Sequence, residues 1–261
     1  MTDYDTLDIQ YEDDGIATLT LRRPDKLNAL NAEVLEELHA AADELADDED
    51  LRATILAGEG RAFIAGADVE AMAEMTREEG EAFGRKGHET MAAIEAIPVP
   101  TIAAVDGFAL GGGLEVALCC DLIYASGRAK FGLPEVSLGI IPGFGGTQRL
   151  ARFVGWHHAR DLVFSARQIG ADEAEEIGLV CDCFEVDSFD QCIDEIAETI
   201  ASRGPLAVRA AKRVMRAGED LSLEQGLEVE REAFGELFDT DDRVEGMRAF
   251  ADRRDADFRG E

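Results

Sequence analysis

The stretch Thr101-Ile-Ala-Ala-Val-Asp-Gly-Phe-Ala-Leu-Gly-Gly-Gly-Leu-Glu115 decides the fold of this chain of 261 residues. Thr101 to Val105 is a short β-branched and apolar run, which predicts a buried strand, and apolar residues return at helical spacing from Leu114 to Cys120. Three glycines, 111 to 113, therefore lie between a strand and a helix. Glycine lets a ligand approach backbone N–H groups, which the first helical turn leaves unpaired. We expect an anion site made of backbone; a tight turn with positive φ is the ordinary alternative.

Other uses of a glycine-rich turn do not fit these residues. A dinucleotide-binding fingerprint that begins at Gly111 requires glycine at position 116, where the chain has Val116. A nucleophile elbow around Ser137 requires glycine two residues before the serine, and Glu135 occupies that position. No P-loop lysine follows the glycines either. The turn is therefore not expected to bind a nucleotide phosphate or to present a serine nucleophile.

Two carboxylates near the glycines have apolar neighbours. Glu115 lies in the first turn of the expected helix, and Glu135 follows a proline between two apolar segments. Desolvation raises a carboxyl pKa, so such a pair can hold one protonated and one ionised form near neutrality. Acidic residues occupy 56 of the 261 positions, so a solvated surface acid is the alternative for each. The apolar context favours an acid/base pair.

Five motifs in this order resemble the crotonase superfamily, and most specifically enoyl-CoA hydratase. The motifs are Ala65-Gly-Ala-Asp68, Asp106 to Glu115, Cys120 to Ala125, Phe131 to Glu135 and Pro142 to Arg149. The resemblance extends from Arg23 to Phe250 and implies an α/β fold with a right-handed ββα spiral core. That core would occupy residues 1–200 and carry the CoA site and the catalytic residues. Residues 201–261 would form a C-terminal α-helical trimerisation region.

The resemblance also implies residue roles. The backbone N–H groups of Ala67 and Gly112 would form an oxyanion hole for a thioester carbonyl. Glu135 would supply a proton to C2, Glu115 would orient or deprotonate the attacking water, and the Gly143 backbone would help to place that water. The residues expected at the substrate and its CoA part are Ala65, Gly66, Ala67, Asp68, Lys26 and Arg61, with Arg253 and Arg254 as further phosphate candidates. A solvated basic residue is the alternative for each of these cations.

These roles imply an enoyl-CoA hydratase, a hydro-lyase of fatty acid or related acyl-CoA metabolism. It would add water across the C2=C3 bond of trans-2-enoyl-CoA to give 3-hydroxyacyl-CoA. Family members that keep one of the two glutamates tend to be isomerases, so both glutamates together favour hydration. The alternatives are a Δ3,Δ2-enoyl-CoA isomerase, another enolate-stabilising enzyme, and a non-enzymatic RNA-binding relative. CoA is part of the substrate, so no separate cofactor is expected.

Acidic residues outnumber basic ones by 56 to 25, which gives a formal net charge of −31. Self-repulsion of this size opposes folding in dilute salt, whereas molar salt shortens the Debye length to about 3 Å. We infer a halophile's cytoplasm and expect activity and assembly to need molar KCl or NaCl. Nucleic acids and anionic membranes are polyanions, so neither is expected as a partner.

The remaining composition also indicates a cytoplasmic protein without metal. No apolar run reaches membrane-spanning length, and the first residues lack the basic and apolar regions of a signal peptide. The five cysteines are odd in number and lack paired C-x-x-C spacing, so buried free thiols are expected. The four histidines show no metal-ligand spacing, and no metal site is predicted.

Local patterns predict the order of elements. A hairpin is expected from Leu7–Tyr11 and Ile16–Leu21, then a helix capped by Asn31 and a strand over 51–57. Helices interrupted near Gly80 and residues 84–87 should follow, with core or acyl-pocket positions at Met72, Met75, Phe83 and Met91. Further helices are predicted over 147–154, 157–164, 206–217, 223–238 and 243–252. The last three have no strand to cover, and the resemblance implies that they build a homo-oligomer, a trimer or a dimer of trimers.

Overall fold

A computed structural model describes residues 2–261 of the chain. The strands in that range are β1 Leu7–Tyr11, β2 Ile16–Leu21, β3 Ala53–Gly58, β4 Ala62–Ile64, β5 Thr101–Val105, β6 Phe108–Leu110, β7 Leu122–Ser126, β8 Lys130–Gly132, β9 Ile169–Gly170 and β10 Asp182–Phe184. The α-helices are α1 Ala32–Ala46, α2 Val69–Met72, α3 Arg77–Ala96, α4 Gly112–Ala117, α5 Gly146–Ser165, α6 Ala171–Glu176, α7 Phe189–Ala201, α8 Pro205–Gly218, α9 Leu223–Glu236 and α10 Asp241–Asp252. Short 3-10 helices cover Pro24–Lys26, Glu135–Leu138, Val186–Ser188 and Leu237–Asp239.

Two mixed sheets form the centre of the fold. The larger has the order β1-β2-β3-β5-β7-β10, in which β1 and β2 are antiparallel and the other neighbours are parallel. The smaller has the order β4-β6-β8-β9, with antiparallel pairing between β8 and β9. Both sheets contribute to one apolar core with α1, α3, α4 and α5. The expected α/β class is confirmed.

Strand β5 is buried on both faces, which explains its largely apolar sequence. Successive side chains of a strand face opposite ways. Ala103 and Val105 lie in the main core, whereas Ile102 and Ala104 lie in a second cluster with Phe189 of α7. A strand covered on both faces needs a continuous apolar run, as parallel strands in α/β proteins do.

The beginning of the chain agrees with the patterns. Leu7 pairs with Leu21 and Tyr11 with Ala17 in the expected hairpin. Asn31 caps α1, because its side chain accepts a hydrogen bond from the Val34 N–H at 2.9 Å. The third strand is β3, which begins two residues later than expected.

The predicted interruption of the helix near Gly80 and residues 84–87 is wrong. Helix α3 is continuous from Arg77 to Ala96, and the break lies before it, after α2. Thr76 and Glu79 begin α3 with a reciprocal capping box. An internal glycine costs a helix only about 1 kcal/mol, so the cap and a buried face on the second half of α3 are enough to keep it continuous.

The two helices predicted over 147–154 and 157–164 are present as the two halves of α5. Gly155 separates them with a non-helical φ of 75°. A residue with a side chain would be strained at that angle, so glycine accounts for the kink.

The cysteines differ in part from expectation. All five carry free thiols, but Cys181 is exposed, while Cys119 and Cys120 are buried. Cys181 directly precedes β10, the last strand in the order of the larger sheet. Among the described residues, no helix combines the length and the apolar character needed to cross a bilayer.

Polar contacts join the C-terminal helices to the segments that precede β3, β5 and β7. The guanidinium of Arg209 donates to the carbonyls of Glu49 and Leu51, each at 2.8 Å. Lys212 donates to the Val99 carbonyl at 2.8 Å and pairs with Asp121 at 2.6 Å. Apolar side chains on the same helices are exposed, namely Met215, Leu223, Leu227, Phe234, Phe238, Met247 and Phe250. The boundary between core and trimerisation region at residue 200 stays a prediction, as does the halophile origin.

Candidate active site

One cavity of about 880 Å³ contains the residues that the motifs single out. Glu115, Glu135, Ala67, Gly112 and Gly143 all line it. They come from α4, the 3-10 helix at 135–138, the segment after β4 and the loop before α5. The fold thus brings four separate motifs to one place.

The glycine turn joins β6 to α4. Gly111 has a φ of 51° and a ψ of −125°, a conformation open to glycine and strained for other residues. A Cβ on Gly113 would overlap the carbonyl of Ile64, so glycine lets α4 pack directly on β4. Gly112 is the first residue of α4, and its N–H donates to no acceptor within residues 2–261. The expected unpaired backbone donor is therefore present at the cavity wall.

A second free N–H belongs to Ala67. Leu30 donates to the Gly66 carbonyl at 2.9 Å and accepts from the Asp68 N–H at 2.8 Å. Because backbone groups alternate in direction along an extended chain, the Ala67 N–H points away from Leu30. It has no acceptor among the described residues, and Ala67 lines the cavity.

Glu115 is almost fully buried, with 1% of its surface exposed. Its Oε1 accepts hydrogen bonds from the N–H groups of Phe144 at 2.8 Å and Gly146 at 2.7 Å. Burial raises the pKa of Glu115, while these two donors and the nearby Arg149 cation act in the opposite direction. The two hydrogen bonds fix the carboxylate's orientation.

Glu135 has a different environment. It begins a 3-10 helix after Pro134, is 8% exposed, and its Oε2 has no hydrogen-bond partner within residues 2–261. Burial, with a smaller contribution from the Glu115 charge, raises the pKa of Glu135 to about 7. A Cβ on Gly111 would come within 2.8 Å of Glu135 Oε1, so the glycine also makes room for this carboxyl group.

The rest of the cavity is mostly apolar. Met72, Met75 and Phe83 line it, whereas Met91 is fully buried in the main core. A second group of apolar residues lines the cavity from the segment after Glu135, namely Val136, Leu138, Ile140 and Ile141. Such walls suit an acyl chain.

The expected CoA contacts divide into two groups. Ala65, Gly66 and Ala67 line the cavity. Asp68 does not: it caps α2 by accepting from the Ala71 N–H at 3.3 Å. The two basic candidates lie elsewhere on the surface.

Lys26 and Arg61 do not line the cavity. Lys26 Nζ pairs with Glu70 at 3.3 Å, and 57% of its side chain is exposed. Arg61 is exposed. Of the C-terminal candidates, Arg254 pairs with Glu245. Phosphate contacts by these cations remain predictions.

Sequence reasoning missed the groups that hold Glu115. Phe144 and Gly146 belong to a motif already singled out, but nothing in its spacing indicates that their N–H groups point at residue 115. Arg149, in the same motif, donates to the Phe144 carbonyl at 3.0 Å. Within residues 2–261 no group of histidine, cysteine and acidic residues has the arrangement of a metal site.

The model of the enoyl-CoA hydratase/isomerase family matches residues 11–261. The chain belongs to that family. The short-chain-enoyl-CoA hydratase of Clostridium acetobutylicum is 45% identical over 240 residues, which cover 92% of each chain. The crotonyl-CoA hydratase of Syntrophomonas wolfei is 43% identical over 248 residues, or 95% of each chain. The crystal structure of enoyl-CoA hydratase from Bacillus anthracis superposes with a TM-score of 0.96 at 39% identity, covering 98% of this chain and all of the other.

Proposed function

We propose that the protein hydrates trans-2-enoyl-CoA thioesters to 3-hydroxyacyl-CoA. One observation carries the proposal: two buried carboxyl groups face the same cavity as two backbone N–H groups that have no acceptor in the described part of the chain. The family membership and the hydratases among its relatives support the same reaction.

The backbone donors of Ala67 and Gly112 stabilise charge on the thioester oxygen. Attack of water at C3 moves electrons onto that oxygen as an enolate. A fixed donor aimed at developing charge in a dry site lowers the barrier by about 3 kcal/mol. Donors that belong to the backbone need no reorganisation during the reaction.

The two carboxyl groups divide the proton transfers. Glu115 accepts a proton from the water, whose oxygen bonds to C3, and the C2=C3 electron pair moves toward the thioester. Glu135, which is partly protonated near neutrality because its pKa is about 7, gives its proton to C2. One proton then returns from Glu115 to Glu135 before the next turnover. The Gly143 backbone helps to place the water at the cavity wall.

The substrate is proposed to be a short acyl chain on CoA. The relatives from Clostridium acetobutylicum and Syntrophomonas wolfei are named for short-chain-enoyl-CoA and crotonyl-CoA. Ala65 and Gly66 at the cavity would contact the CoA part of the substrate through their backbone. Lys26 and Arg61 are exposed cations that a CoA phosphate would have to reach outside the cavity.

The C-terminal helices are proposed to form the homo-oligomer, a trimer or a dimer of trimers. Their exposed side chains include Leu223 at 81% and Phe250 at 87% exposure. Large apolar side chains clustered on one region of a monomer favour burial against another chain. Sedimentation in molar KCl measures the assembly, and a monomer at all salt concentrations would refute it.

The decisive assay follows loss of the conjugated thioester when crotonyl-CoA is mixed with the protein in molar KCl. Hydration gives 3-hydroxybutyryl-CoA with label from isotopically enriched water in the hydroxyl group. A 3-enoyl-CoA substrate provides the alternative outcome: its conversion to 2-enoyl-CoA, without hydration of crotonyl-CoA, would make the protein an isomerase.

A further inference from the structure

Arg149 lies in the first turn of α5 and joins the active-site loop to another helix. Its Nη1 donates to the Phe144 carbonyl at 3.0 Å. Its Nε and Nη2 donate to the two carboxylate oxygens of Glu95, on α3, at 2.7 and 3.1 Å. Three of its five N–H groups thus have partners fixed in direction by the planar guanidinium.

The peptide groups that Arg149 contacts are next to those that hold Glu115. The Phe144 carbonyl accepts a hydrogen bond from the Arg149 guanidinium, and the Phe144 N–H donates to Glu115 Oε1 at 2.8 Å. Gly145 follows with a φ of 111°, and Gly146 gives the second hydrogen bond to the same oxygen. A Cβ on Gly145 would overlap the Arg149 guanidinium, so this side chain packs directly against the loop backbone.

The ring of Phe144 fixes the loop from the other side. It packs against Gly87 of α3, where a Cβ would overlap it, and edge-on against Phe83 at a centroid distance of 5.3 Å. The ring has no polar group, however, so it does not itself set the direction of the Phe144 carbonyl. Arg149 supplies the contact that fixes the peptide's orientation.

We propose that Arg149 is a positioning residue, which holds the Phe144–Gly146 backbone so that its N–H groups orient the Glu115 carboxylate toward the attacking water. The inference rests on the proposed hydration. Arg149 itself does not line the cavity, so it acts on the reaction through the loop.

Glu95 anchors the guanidinium and connects it to the C-terminal helices. The Glu95 side chain is 26% exposed, and its two oxygens accept two parallel hydrogen bonds from the Arg149 guanidinium. Lysine cannot reproduce this paired geometry. Arg216 of α8 lies 3.5 Å from Glu95 Oε1 and also donates to the Glu95 carbonyl. The position of α8 is therefore coupled to the same carboxylate that fixes Arg149.

The charge of Arg149 also acts on Glu115. Burial raises the pKa of Glu115, the N–H groups of the loop lower it, and the Arg149 cation lowers it further. The other titratable groups around this carboxyl group and its Arg149 neighbour are Glu135 on the 3-10 helix, Cys119 just after α4, and Glu95 on α3. Because Glu115 must be ionised to accept a proton, loss of the cation would move the acidic limb of the pH–rate profile to higher pH.

The test compares Arg149→Gln with Arg152→Gln. Arg152 lies on the same helix, is 55% exposed and pairs with Asp220 at 3.6 Å, so its loss should change kcat less than about twofold. Arg149→Gln should lower kcat by roughly 10- to 100-fold, because a small misplacement of a reacting group is costly. KM should change little, since the acyl and CoA contacts are unaltered.

Two further variants separate positioning from simple loss of folding. Arg149→Lys keeps the charge and loses the fork, so its acidic limb should return toward that of the wild type while kcat stays reduced. The double variant Glu95→Gln with Arg149→Gln removes both charges of this pair, and Arg216 keeps Asp121 at 4.0 Å. It should therefore fold while keeping the kcat defect. Loss of folded protein in all three Arg149 variants, with unchanged kcat per folded molecule, would overturn the inference.

The wild-type assay distinguishes this inference from the proposed function. If the wild type does not hydrate crotonyl-CoA, the hydratase proposal fails by itself. If the wild type hydrates it and Arg149→Gln retains both kcat and pH profile, only the positioning role fails.

Discussion

Glu115 and Glu135 face one cavity, but their carboxyl groups have opposite surroundings. Glu115 accepts two backbone N–H hydrogen bonds at one oxygen and lies near the Arg149 cation. Burial raises its pKa, and these donors and the cation oppose that rise. Glu135 has a buried oxygen without a hydrogen-bond partner in residues 2–261, and its pKa is raised to about 7. Hydrogen bonds to a carboxylate favour its ionised form, whereas desolvation without donors favours the acid.

The difference supports the proposed division of the two proton transfers. A carboxylate held by donors is suited to accept a proton from water, and a carboxyl group without donors is suited to give one. The two glutamates belong to motifs 20 residues apart in sequence, yet their distinct chemistry comes from the loop before α5, which reaches only one of them.

The largest effect is expected when either carboxyl group is replaced. Glu115→Gln and Glu135→Gln should each lower kcat for crotonyl-CoA hydration by about 10²- to 10⁴-fold, the usual contribution of a general acid or base. Circular dichroism and sedimentation should be unchanged, because glutamine has nearly the same shape. Near-normal turnover in both variants would contradict the assignment.

A smaller effect is expected from the packing behind Glu115. In Gly87→Ala the added methyl group would push the Phe144 ring and displace the Phe144 N–H that donates to Glu115. We expect kcat to fall by roughly 10- to 100-fold. The added methyl group should also cost about 1–3 kcal/mol of stability through overpacking. Gly80→Ala is the matched control on the same helix. Gly80 also lines the cavity, but no atom of residues 2–261 lies within 4 Å of its added Cβ. Equal activity of the two variants would argue against this packing role.

The pH dependence should separate the acid from the base. In the proposed mechanism only protonated Glu135 can supply a proton to C2. The value of kcat should therefore fall about tenfold per pH unit above the Glu135 pKa of about 7. In Glu115→Gln the charge that helps to raise this pKa is absent, so the alkaline limb of the residual activity should move to lower pH. A limb that stays in place would show that the two groups do not interact.

The smallest effect concerns stability. The pKa of Glu135 rises from an ordinary 4.5 to about 7 on folding, so the folded chain binds this proton more tightly than the unfolded one. The contribution of this proton to the free energy of unfolding is therefore fully present below pH 4.5 and is lost as pH rises through 7. The loss amounts to about 3 kcal/mol. Glu135→Gln removes that loss and should be the more stable protein at alkaline pH. Denaturant unfolding of both proteins at two pH values measures it; equal pH dependence would contradict the raised pKa.

The sequence indicated the members of the site but not their surroundings. The predicted site residues line one cavity because their motifs lie next to the strands of the two sheets or at the helices that follow them; they are Ala67, Gly112, Glu115 and Glu135. The N–H donors of Phe144 and Gly146 depend on long-range packing, which local spacing does not encode.

The fold shows the same limit. Periodicity located the hairpin, the buried strand β5 and the C-terminal helices, because each has an apolar face of its own. It failed at α3, where glycines suggested breaks that a capping box and tertiary packing override. Lys26 and Arg61 also lie outside the cavity, since charge alone does not determine where a side chain points.

The most direct test is a carboxyl titration by carbon-13 NMR of protein labelled at glutamate. One carboxyl group should titrate near pH 7, disappear in Glu135→Gln and move to lower pH in Glu115→Gln. If that signal remained in Glu135→Gln, or if every glutamate titrated near the ordinary value of about 4, the division of roles between the two carboxyl groups would be wrong.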